Sequence, residues 1–525
     1  MSMRIRAKQA SVFLDRRAVF LLILLGILLR AWKLGSIPGG INQDEASGAY
    51  DAWALLHYGI DRNGFHNPAM FVAWGSGMHP LPYYLSTPFL LLFGLTPLGI
   101  RLAPFLISVL SLPLFYAFSR QVTDRRTAIL ALFLLVIAPW HVMTARWNHE
   151  ASFLPTFFLA GVCCFAVLRG RHRALLAGLL FGLAIYTYGP AYFIVPFFFG
   201  LSLLILLLRR SITLSQALAA VGVFVFIALP ALLFFIVNHW HLPSIRTPFI
   251  DIPRLPTVAH YETVSTIFGP NALSLIRENI GVLWRMLLQQ RDVIWNIIPG
   301  GFGFLYVFST PLIALGGIHF VSSVRQWRKS DARTLLVLWL FVSLALALIL
   351  RANINRFTVS FFPLTLFIAI GIQFFVHRPR IKITLITLYA CAGIVFTWTY
   401  FRTYPALVGP AFFESFPEAI AAASKATDGK ICITAGVNMP YIFVLLANRM
   451  DPHAFLSTVR YSDPAGEFRY VRSFDRYYLT YEDCNAQVID AFVVDRAAGE
   501  TRVWGEEFDV QHLKNYTVAV RRDTL

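Results

Sequence analysis

The sequence predicts a mainly α-helical polytopic membrane protein with about eleven transmembrane helices, followed by a small α/β domain. Only 14% of its residues are charged and 57% are hydrophobic, whereas soluble domains carry about 25% charged residues. Apolar runs long enough to cross a bilayer recur up to about residue 400 and then stop. The basic residues between these runs form short clusters, as in the cytoplasmic loops of membrane proteins.

The basic residues that give the net charge of +17 are not placed as they are in a nucleic-acid-binding protein. A polynucleotide backbone is met by Lys and Arg gathered on one face of a domain. Here the basic clusters alternate with apolar runs instead. The pattern excludes nucleic acid as a partner and predicts membrane lipid as the surroundings.

A helix needs about 20 predominantly apolar residues to cross the hydrocarbon core. The first run follows a basic N-terminus and has no clear small-residue cleavage site, which favours an uncleaved span over a cleaved signal. The candidate spans are residues 18–34, 99–119, 127–141, 152–168, 174–187, 190–208, 214–237, 302–323, 334–350, 357–376 and 383–400.

These spans place every basic cluster on one side, which the positive-inside rule assigns to the cytoplasm. The arrangement requires that residues 81–95, interrupted by Pro88, form an interfacial or re-entrant helix; a true span with weaker charge bias is the alternative. The N-terminus is then cytoplasmic in a plasma (inner) membrane. The clusters are Arg4/Arg6/Lys8/Arg16/Arg17, Arg120/Arg125/Arg126, Arg169/Arg171/Arg173, Arg209/Arg210, Arg325/Arg328/Lys329/Arg333 and Arg378/Arg380/Lys382.

The tail, residues 404–525, is predicted to be a separate extracytoplasmic α/β domain after a transmembrane domain of residues 1–403. FPEAIAAASKATDGK predicts a helix, ICITAG, FLSTVRY and AQVIDAFVVD predict strands, and PYIFVLLANRM predicts a second helix. The domain is interpreted either as a lid that guides an acceptor or as a passive appendage. Cys432 and Cys484 could pair if it faces an oxidising compartment.

Two adjacent acids, Asp44 and Glu45, follow the first span among Gly and Asn residues. Carboxylates at a membrane boundary carry a desolvation cost unless they have a task or a partner. One could face a substrate while the other orients a neighbour or binds a divalent cation. Asp44 could also cap a helix that begins near Glu45.

Further ionisable residues lie in other outer segments. Arg146, His149 and Glu150 share one loop, where an ordinary helical pair between Arg146 and Glu150 is the simpler interpretation. Arg351 and Arg356 flank a span mouth, where interfacial anchoring is the simpler interpretation.

His79 precedes Pro80 at the start of the non-crossing segment, and a lone histidine is usually structural. These acids and bases come from distant positions but reach the same membrane face. A carboxylate there can act as a general base on an acceptor. Arg and His side chains can stabilise the charge that develops on a phosphate leaving group.

Over residues of about 15–400 the sequence resembles the GT-C superfamily of membrane glycosyltransferases. The nearest branch is the protein O-mannosyltransferase and aminoarabinose transferase group. The resemblance rests on the order and sidedness of short motifs. These are Asp44-Glu45, His79-Pro80 followed by Leu81-Pro82-Tyr83-Tyr84, Arg101-Leu102-Ala103-Pro104, the Arg146 to Glu150 loop, Tyr188-Gly189-Pro190, and Arg356 before a span containing Pro363.

The resemblance implies that Asp44 is the catalytic base and Glu45 its neighbour in the site. Glu150 matches the second-loop acid that positions the acceptor or the base. His79 and Arg356 match residues near the lipid phosphate. Further candidates are Arg146, which would also neutralise the phosphate, and His149, Arg351 and Tyr188.

Three positions depart from the family pattern. His79 stands where the aminoarabinose branch has Lys, and Tyr188 stands where that branch often has Lys. Glu150 stands where relatives commonly have Asp. These departures leave the donor sugar and the acceptor open.

The predicted reaction moves a sugar from a polyprenyl-phosphate donor to a lipid, glycan or protein acceptor at the outer face, by a single displacement with inversion. No metal site is predicted, although a divalent cation could bind near Asp44 and Glu45. One alternative is a transporter or lipid flippase, which would carry ionisable residues near the bilayer midplane; the predicted span interiors carry almost none. A non-catalytic scaffold, the other alternative, would not need these outer acids and bases.

Overall fold

The computed structural model describes residues 2–74, 76–256, 272–290, 301–323, 330–350, 353–434, 436–462 and 469–522. The chain is mainly helical, as predicted. It divides into two compact units. The first comprises Met1–Trp32, Pro104–Leu229 and Val264–Tyr404, and the second comprises Lys33–Ala103, Pro230–Thr263 and Pro405–Leu525.

Helices occupy every predicted span. Asp124 shows how one begins, since its carboxylate accepts hydrogen bonds from the backbone N–H groups of Arg126 and Thr127 at 2.8 and 3.2 Å and thereby caps α5. Up to Arg402 the helices are α1 (Ser2–Ala31), α2 (Gln43–Tyr58), α3 (Leu81–Phe93), α4 (Pro97–Val122), α5 (Arg125–Ile137), α6 (Pro139–Thr144), α7 (Leu154–Ala166), α8 (Arg173–Ala184), α9 (Ala191–Leu208), α10 (Leu214–His239), α11 (Ala272–Gln289), α12 (Thr310–Ser322), α13 (Asp331–Ile349), α14 (Ile354–Phe357), α15 (Phe361–Gln373) and α16 (Pro379–Arg402).

Within the described residues, six helical segments are long and apolar enough to cross a membrane. The predicted number of about eleven spans therefore stays a prediction. Helix α3 has 13 residues and ends at Gly94. At about 1.5 Å per residue it is roughly 20 Å long, shorter than a hydrocarbon core of about 30 Å. The six segments are α4, α9, α10, α13, Ile354–Gln373 and α16.

In the first unit, α12 and α15 approach each other closely at two glycines. A Cβ atom on Gly316 would overlap the carbonyl oxygen of Phe367, and one on Gly371 would overlap the carbonyl oxygen of Leu312. Small residues allow helix backbones to pack at such short range in membranes.

In the second unit, the segment after the first span forms α2, a hairpin of β1 (Phe71–Ala73) and β2 (Ser76–Met78), and α3. A second hairpin of β3 (Ile245–Arg246) and β4 (Asp251–Ile252) joins this segment. The backbone N–H of His66 donates to the carboxylate of the buried Asp251 at 2.9 Å, and the N–H of Ala69 donates to its carbonyl oxygen at 2.8 Å.

The tail forms one mixed seven-stranded sheet with the order β10-β11-β9-β5-β8-β7-β6. Its strands are β5 (Ile431–Ile433), β6 (Arg460–Tyr461), β7 (Val471–Phe474), β8 (Tyr477–Tyr478), β9 (Ala491–Asp495), β10 (Phe508–His512) and β11 (Tyr516–Arg521). Its helices are α17 (Tyr404–Val408), α18 (Phe416–Ala426), α19 (Tyr441–Asn448), α20 (Pro452–Thr458), α21 (Tyr481–Asn485) and α22 (Arg496–Thr501).

The strand predicted for FLSTVRY is mostly wrong. The structure has helix α20 up to Thr458, and only Arg460 and Tyr461 are extended. Asp451 caps this helix and Pro452 occupies its first turn, which is a local signal for a helix start.

One hydrophobic core runs through the second unit. It includes Tyr50 of α2 and Tyr83 of α3 together with Phe416, Phe443 and Ile433 of the tail. The tail and the first outer segment are therefore packed as one body. Since burial of apolar surface is the main stabilising term in folding, neither part keeps its full core without the other.

Cys432 and Cys484 form a disulfide, which resolves the pairing that the sequence left open. The bridge joins β5 to α21 and is buried beside Ile489. It therefore ties one face of the tail sheet to a short helix.

Candidate active site

The predicted acidic pair lies at the start of α2. Asn42 is the helix cap: its side chain accepts from the backbone N–H of Glu45 at 3.0 Å, and the Asn42 N–H donates to Glu45 Oε2 at 3.3 Å. The interpretation of Asp44 as the cap is therefore wrong. Asp44 and Glu45 occupy the first helical turn, where the helix dipole stabilises negative charge.

Glu45 is fully buried and paired with Arg101. The guanidinium donates from Nε to Oε1 and from Nη2 to Oε2, both at 3.1 Å. It also donates to the carbonyl oxygens of Pro38 and Gly40 at 2.7 Å. A bidentate pair of this kind fixes geometry as well as charge, so Glu45 and Arg101 hold the loop that precedes α2.

Asp44 is only half-buried. Its Oδ1 accepts a hydrogen bond from the indole Nε1 of Trp74 at 3.3 Å, and the Tyr83 hydroxyl is 3.5 Å from its backbone oxygen. Of the two adjacent acids, Asp44 is thus the one that is not neutralised by Arg101. Nothing in the sequence around Trp74 marks it as a neighbour of Asp44.

His79 lies in the same unit as Asp44 and Glu45. It is 7% exposed and directly precedes Pro80, at the start of α3. The structure therefore keeps three of the predicted site residues within one compact body.

The remaining described candidates lie in the first unit. Arg146 is fully buried, donates from Nη1 to the carbonyl oxygen of Arg30 at 2.8 Å, and packs over the Phe401 and Tyr400 rings at 5.2 and 5.8 Å. Helix α6 ends at Thr144 and a 3-10 turn begins at Glu150. Arg146 and Glu150 share no helix, so the helical-pair interpretation is wrong.

His149 caps the turn that Glu150 begins. Its Nδ1 accepts from the backbone N–H of Ala151 at 3.1 Å. Its ring lies 4.6 Å from Trp147 and 6.0 Å from Tyr188, between centroids. The structure thus brings His149 and Tyr188 together, as two members of one aromatic group.

Arg356 lies in the one-turn helix α14, whose cap Asn353 accepts from the Arg356 backbone N–H at 2.8 Å. This cap fixes the backbone of Arg356 at the mouth of α15. Arg351 lies outside the described residues.

Comparisons with known proteins bear on this arrangement. Residues 78–247 match the family model described as dolichyl-phosphate-mannose-protein mannosyltransferase. A search of curated protein sequences finds no match.

Solved structures of two proteins share the fold. Archaeal oligosaccharyltransferase AglB from Archaeoglobus fulgidus, in complex with an inhibitory peptide and a dolichol-phosphate, is 12% identical with a TM-score of 0.53, over 93% of this chain and 70% of that one. ArnT from Cupriavidus metallidurans bound to undecaprenyl phosphate is 12% identical with a TM-score of 0.55, over 97% and 98%. This chain has a GT-C fold. The resemblance stated from the sequence motifs is confirmed.

Inside the first unit of this GT-C fold, sequence reasoning missed a buried polar cluster. Arg30, within the first predicted span, donates from Nε to His141 Nδ1 at 3.0 Å, and His141 Nε2 lies 2.7 Å from Ser111 Oγ. Because Nδ1 accepts, we assign the imidazole proton to Nε2, which then donates to the serine. The expectation of almost charge-free span interiors is therefore wrong at Arg30, which is fully buried.

A second buried cluster that sequence reasoning missed lies in the second unit. Arg62 Nη2 donates to Ser47 Oγ at 2.7 Å and lies 3.6 Å from Asp51 Oδ2. Asp61 Oδ1 accepts from the backbone N–H groups of Asn63 and Phe65 at 2.8 and 3.0 Å. Asp51, Asp61 and Arg62 are all buried, and each is short of partners within the described residues.

Burial raises the pKa of Asp51, and the positive charge of Arg62 opposes this change. Burial also raises the pKa of Asp61, and the negative charge of Asp51 raises it further. The cluster therefore holds two carboxyl groups for one guanidinium in a desolvated place.

A metal-binding role of the acidic pair meets a geometric obstacle. Both carboxylate oxygens of Glu45 are occupied by Arg101. In the part of the chain that the structure describes, no group of three or more His, Cys, Asp and Glu side chains is placed to hold a metal ion. A cation beside Asp44 would need its other ligands from water or substrate.

Proposed function

We propose that this protein is a glycosyltransferase that moves a sugar from a polyprenyl-phosphate-linked donor to an acceptor at the outer face of the plasma membrane. One observation carries the proposal. In a GT-C fold, the first turn of α2 separates two adjacent acids, because Arg101 neutralises Glu45 and leaves Asp44 half-buried. A half-buried carboxylate held in the first turn of a helix suits a general base.

The proposed reaction is a single displacement with inversion. Asp44 takes the proton from the acceptor hydroxyl or amine. The acceptor atom then bonds to the anomeric carbon as the bond between that carbon and the phosphate oxygen breaks. The electron pair leaves with the polyprenyl phosphate, which is stable as an anion, so no general acid is required.

The donor class is supported by the proteins that share the fold. The AglB structure contains a dolichol-phosphate and the ArnT structure contains undecaprenyl phosphate. We propose that His79, Arg146 and Arg356 contact the donor phosphate, as the family resemblance implies, since cationic groups stabilise a departing phosphate. Glu150 is proposed to position the acceptor or the base.

The structure suggests narrower roles for the other candidates. Glu45 is proposed to be a positioning residue, because Arg101 occupies both of its oxygens. His149 and Tyr188 are proposed to shape the turn at Glu150. The acceptor is a lipid, glycan or protein, and its choice is the next level of specificity to be tested.

The test is transfer of labelled sugar from polyprenyl-phosphate donors by the purified full chain in membranes. Wild type is expected to transfer the sugar. Asp44→Asn is expected to lower the rate of transfer at least about 100-fold, within the range of acid–base contributions. Asp428→Asn is the matched control, since the Asp428 side chain is fully exposed. The product linkage should have the opposite anomeric configuration to the donor.

Equal transfer by wild type and Asp44→Asn would remove Asp44 as the base, and Glu150→Gln would then be assayed. Retained anomeric configuration would overturn the single displacement. Absence of transfer from every polyprenyl-phosphate donor would overturn the proposed activity.

A further inference from the structure

Trp74 has an unusual backbone conformation for its residue type. It is the first of the two residues that join β1 to β2, since Ala73 pairs with Ser76. Its φ is 56°, in the left-handed region where Gly, Asn and Asp are favoured in two-residue hairpin loops. A large side chain persists in such a conformation only where surrounding contacts fix it, and such positions cluster at functional sites.

The side chain of Trp74 reaches the proposed catalytic base. Its indole Nε1 donates to Asp44 Oδ1 at 3.3 Å. A hydrogen bond to a carboxylate favours the charged form of that group.

The ring of Trp74 packs against two further side chains. The Arg62 guanidinium lies 5.1 Å from its centroid, within the range of a cation–π interaction. The Tyr441 ring meets it edge-on, with centroids 6.0 Å apart. Arg62 also lies 5.8 Å from the Tyr441 ring, so each of the three groups contacts the other two in one cluster.

The tail supplies part of this cluster and one backbone contact. Tyr441 begins α19, and the backbone N–H of Arg469 donates to the carbonyl oxygen of Trp74 at 2.9 Å. The Tyr50 hydroxyl of α2 donates to the carbonyl oxygen of Met450 at 2.6 Å. The tail thus contacts both the hairpin that carries Trp74 and the helix that carries Asp44.

From these contacts we infer that Trp74 is a positioning residue for Asp44, and that the tail domain acts in the reaction by holding Trp74 in place. This inference rests on the proposed function. It assigns the tail a task distinct from an acceptor lid and from a passive appendage. The tail fixes the orientation of the base and stabilises its charged form.

The experiment removes the indole N–H as a hydrogen-bond donor. Trp74→Phe keeps an aromatic ring against Arg62 and Tyr441 but cannot donate to Asp44. Trp504→Phe is the matched control, because the Trp504 indole donates to the carbonyl oxygen of Gly499 at 3.0 Å. Sugar transfer is measured as kcat and KM across pH for the full-length protein in membranes.

Trp74→Phe is expected to lower kcat roughly tenfold, the order of a hydrogen bond to a charged group, with KM for the donor unchanged. The acidic limb of its pH profile should move to higher pH, because the charged form of Asp44 has lost a donor. A purely structural change would lower the active fraction without moving that limb. Trp504→Phe should match wild type.

A second variant guards against misfolding of Trp74→Phe. Incorporation of β-(3-benzothienyl)alanine at position 74 replaces the N–H by sulfur and keeps the ring shape, and the same shift in pH profile is expected. A wild-type kcat and pH profile in this variant would overturn the inference. If Asp44→Asn is inactive and the benzothienyl variant is normal, only the role of Trp74 fails; if Asp44→Asn is active, the proposed base fails first.

Discussion

At the residue scale, the buried guanidinium of Arg62 and the two carboxyl groups beside it do not satisfy each other completely. One guanidinium serves Asp51 directly, and Asp61 relies on two backbone N–H groups for one oxygen only. A buried charged oxygen without partners is costly. The cost falls on the ionised forms and makes the cluster sensitive to pH.

This sensitivity leads to a prediction for Asp61. Its folded pKa lies above the unfolded value of about 3.9, so the folded state binds more protons than the unfolded state between the two values. The contribution to stability is fully present below the unfolded pKa and is lost as the pH rises through the folded pKa. Wild-type stability should therefore fall between acidic and neutral pH from this source.

Asp61→Asn keeps the Oδ1 acceptor and removes the titration. Its free energy of unfolding relative to wild type should rise by roughly 1–3 kcal/mol on going from pH 4 to pH 8. Thermal unfolding in detergent at several pH values measures this difference. The readout is how the difference in free energy of unfolding between the two proteins changes with pH. An unsatisfied amide would contribute the same amount to this difference at each pH. A constant difference between the two proteins would contradict the prediction.

The residues found and missed from sequence differ in how they are specified. Asp44 and Glu45 could be recognised from the sequence because acidic residues directly after a membrane span are rare. Their different tasks could not be predicted, because Arg101, which pairs with Glu45, lies far along the chain from both acids. Trp74 carries no local signal at all, since its importance comes from a left-handed φ and from tail residues hundreds of positions away.

At the element scale, the pair α12 and α15 depends on two glycines facing opposite backbones. We expect Gly371→Ala to destabilise the protein by about 1–3 kcal/mol, since added volume at a close contact forces the helices apart. Gly222→Ala in α10 is the control, because a Cβ there meets no atom within 4 Å. Alanine should stabilise that helix by up to about 1 kcal/mol.

Thermal unfolding of both variants in the same detergent gives the comparison. Opposite signs are expected for the two Gly→Ala changes. A neutral Gly371→Ala variant would show that the α12–α15 contact adjusts without cost, and would contradict the close packing.

Elements were predictable where composition alone determines them. Hydropathy located the helices of the membrane body because each must present apolar side chains along its length. The strand predicted for FLSTVRY was wrong because its Val, Tyr and Thr residues favour a strand, whereas Asp451 and Pro452 start a helix there. Local capping outweighed residue propensity over this short stretch.

At the scale of the whole molecule, the second unit draws on three separate stretches of chain. A hydropathy profile depends only on local composition and therefore divides the sequence into a membrane body and a tail. The structure groups residues 33–103 and 230–263 with the tail, and residues of the first of these two stretches share the hydrophobic core of the tail. Such a grouping depends on contacts between residues such as Tyr50 and Met450, 400 positions apart.

This grouping and the Cys432–Cys484 disulfide bear on the side of the membrane that the tail faces. Disulfides persist in oxidising compartments and are rare in the cytosol, and the positive-inside rule predicts that the tail lies outside. We expect a phosphatase reporter that needs an oxidising compartment to be active when fused after Leu525. The same reporter placed after Arg171 should be inactive, because that basic cluster is predicted to be cytoplasmic.

A fluorescent protein that matures only in the cytoplasm should give the opposite pattern at the two positions. Activity of the phosphatase at Arg171 and not at Leu525 would reverse the topology and place Asp44 on the cytoplasmic side. Activity at both positions would mean an even number of crossings between them instead of the predicted odd number, and residues 81–95, which precede both positions, could not account for it. A discrepancy confined to this interval would instead direct attention to the segments between Arg171 and Thr403, where the described helices are α8 to α16.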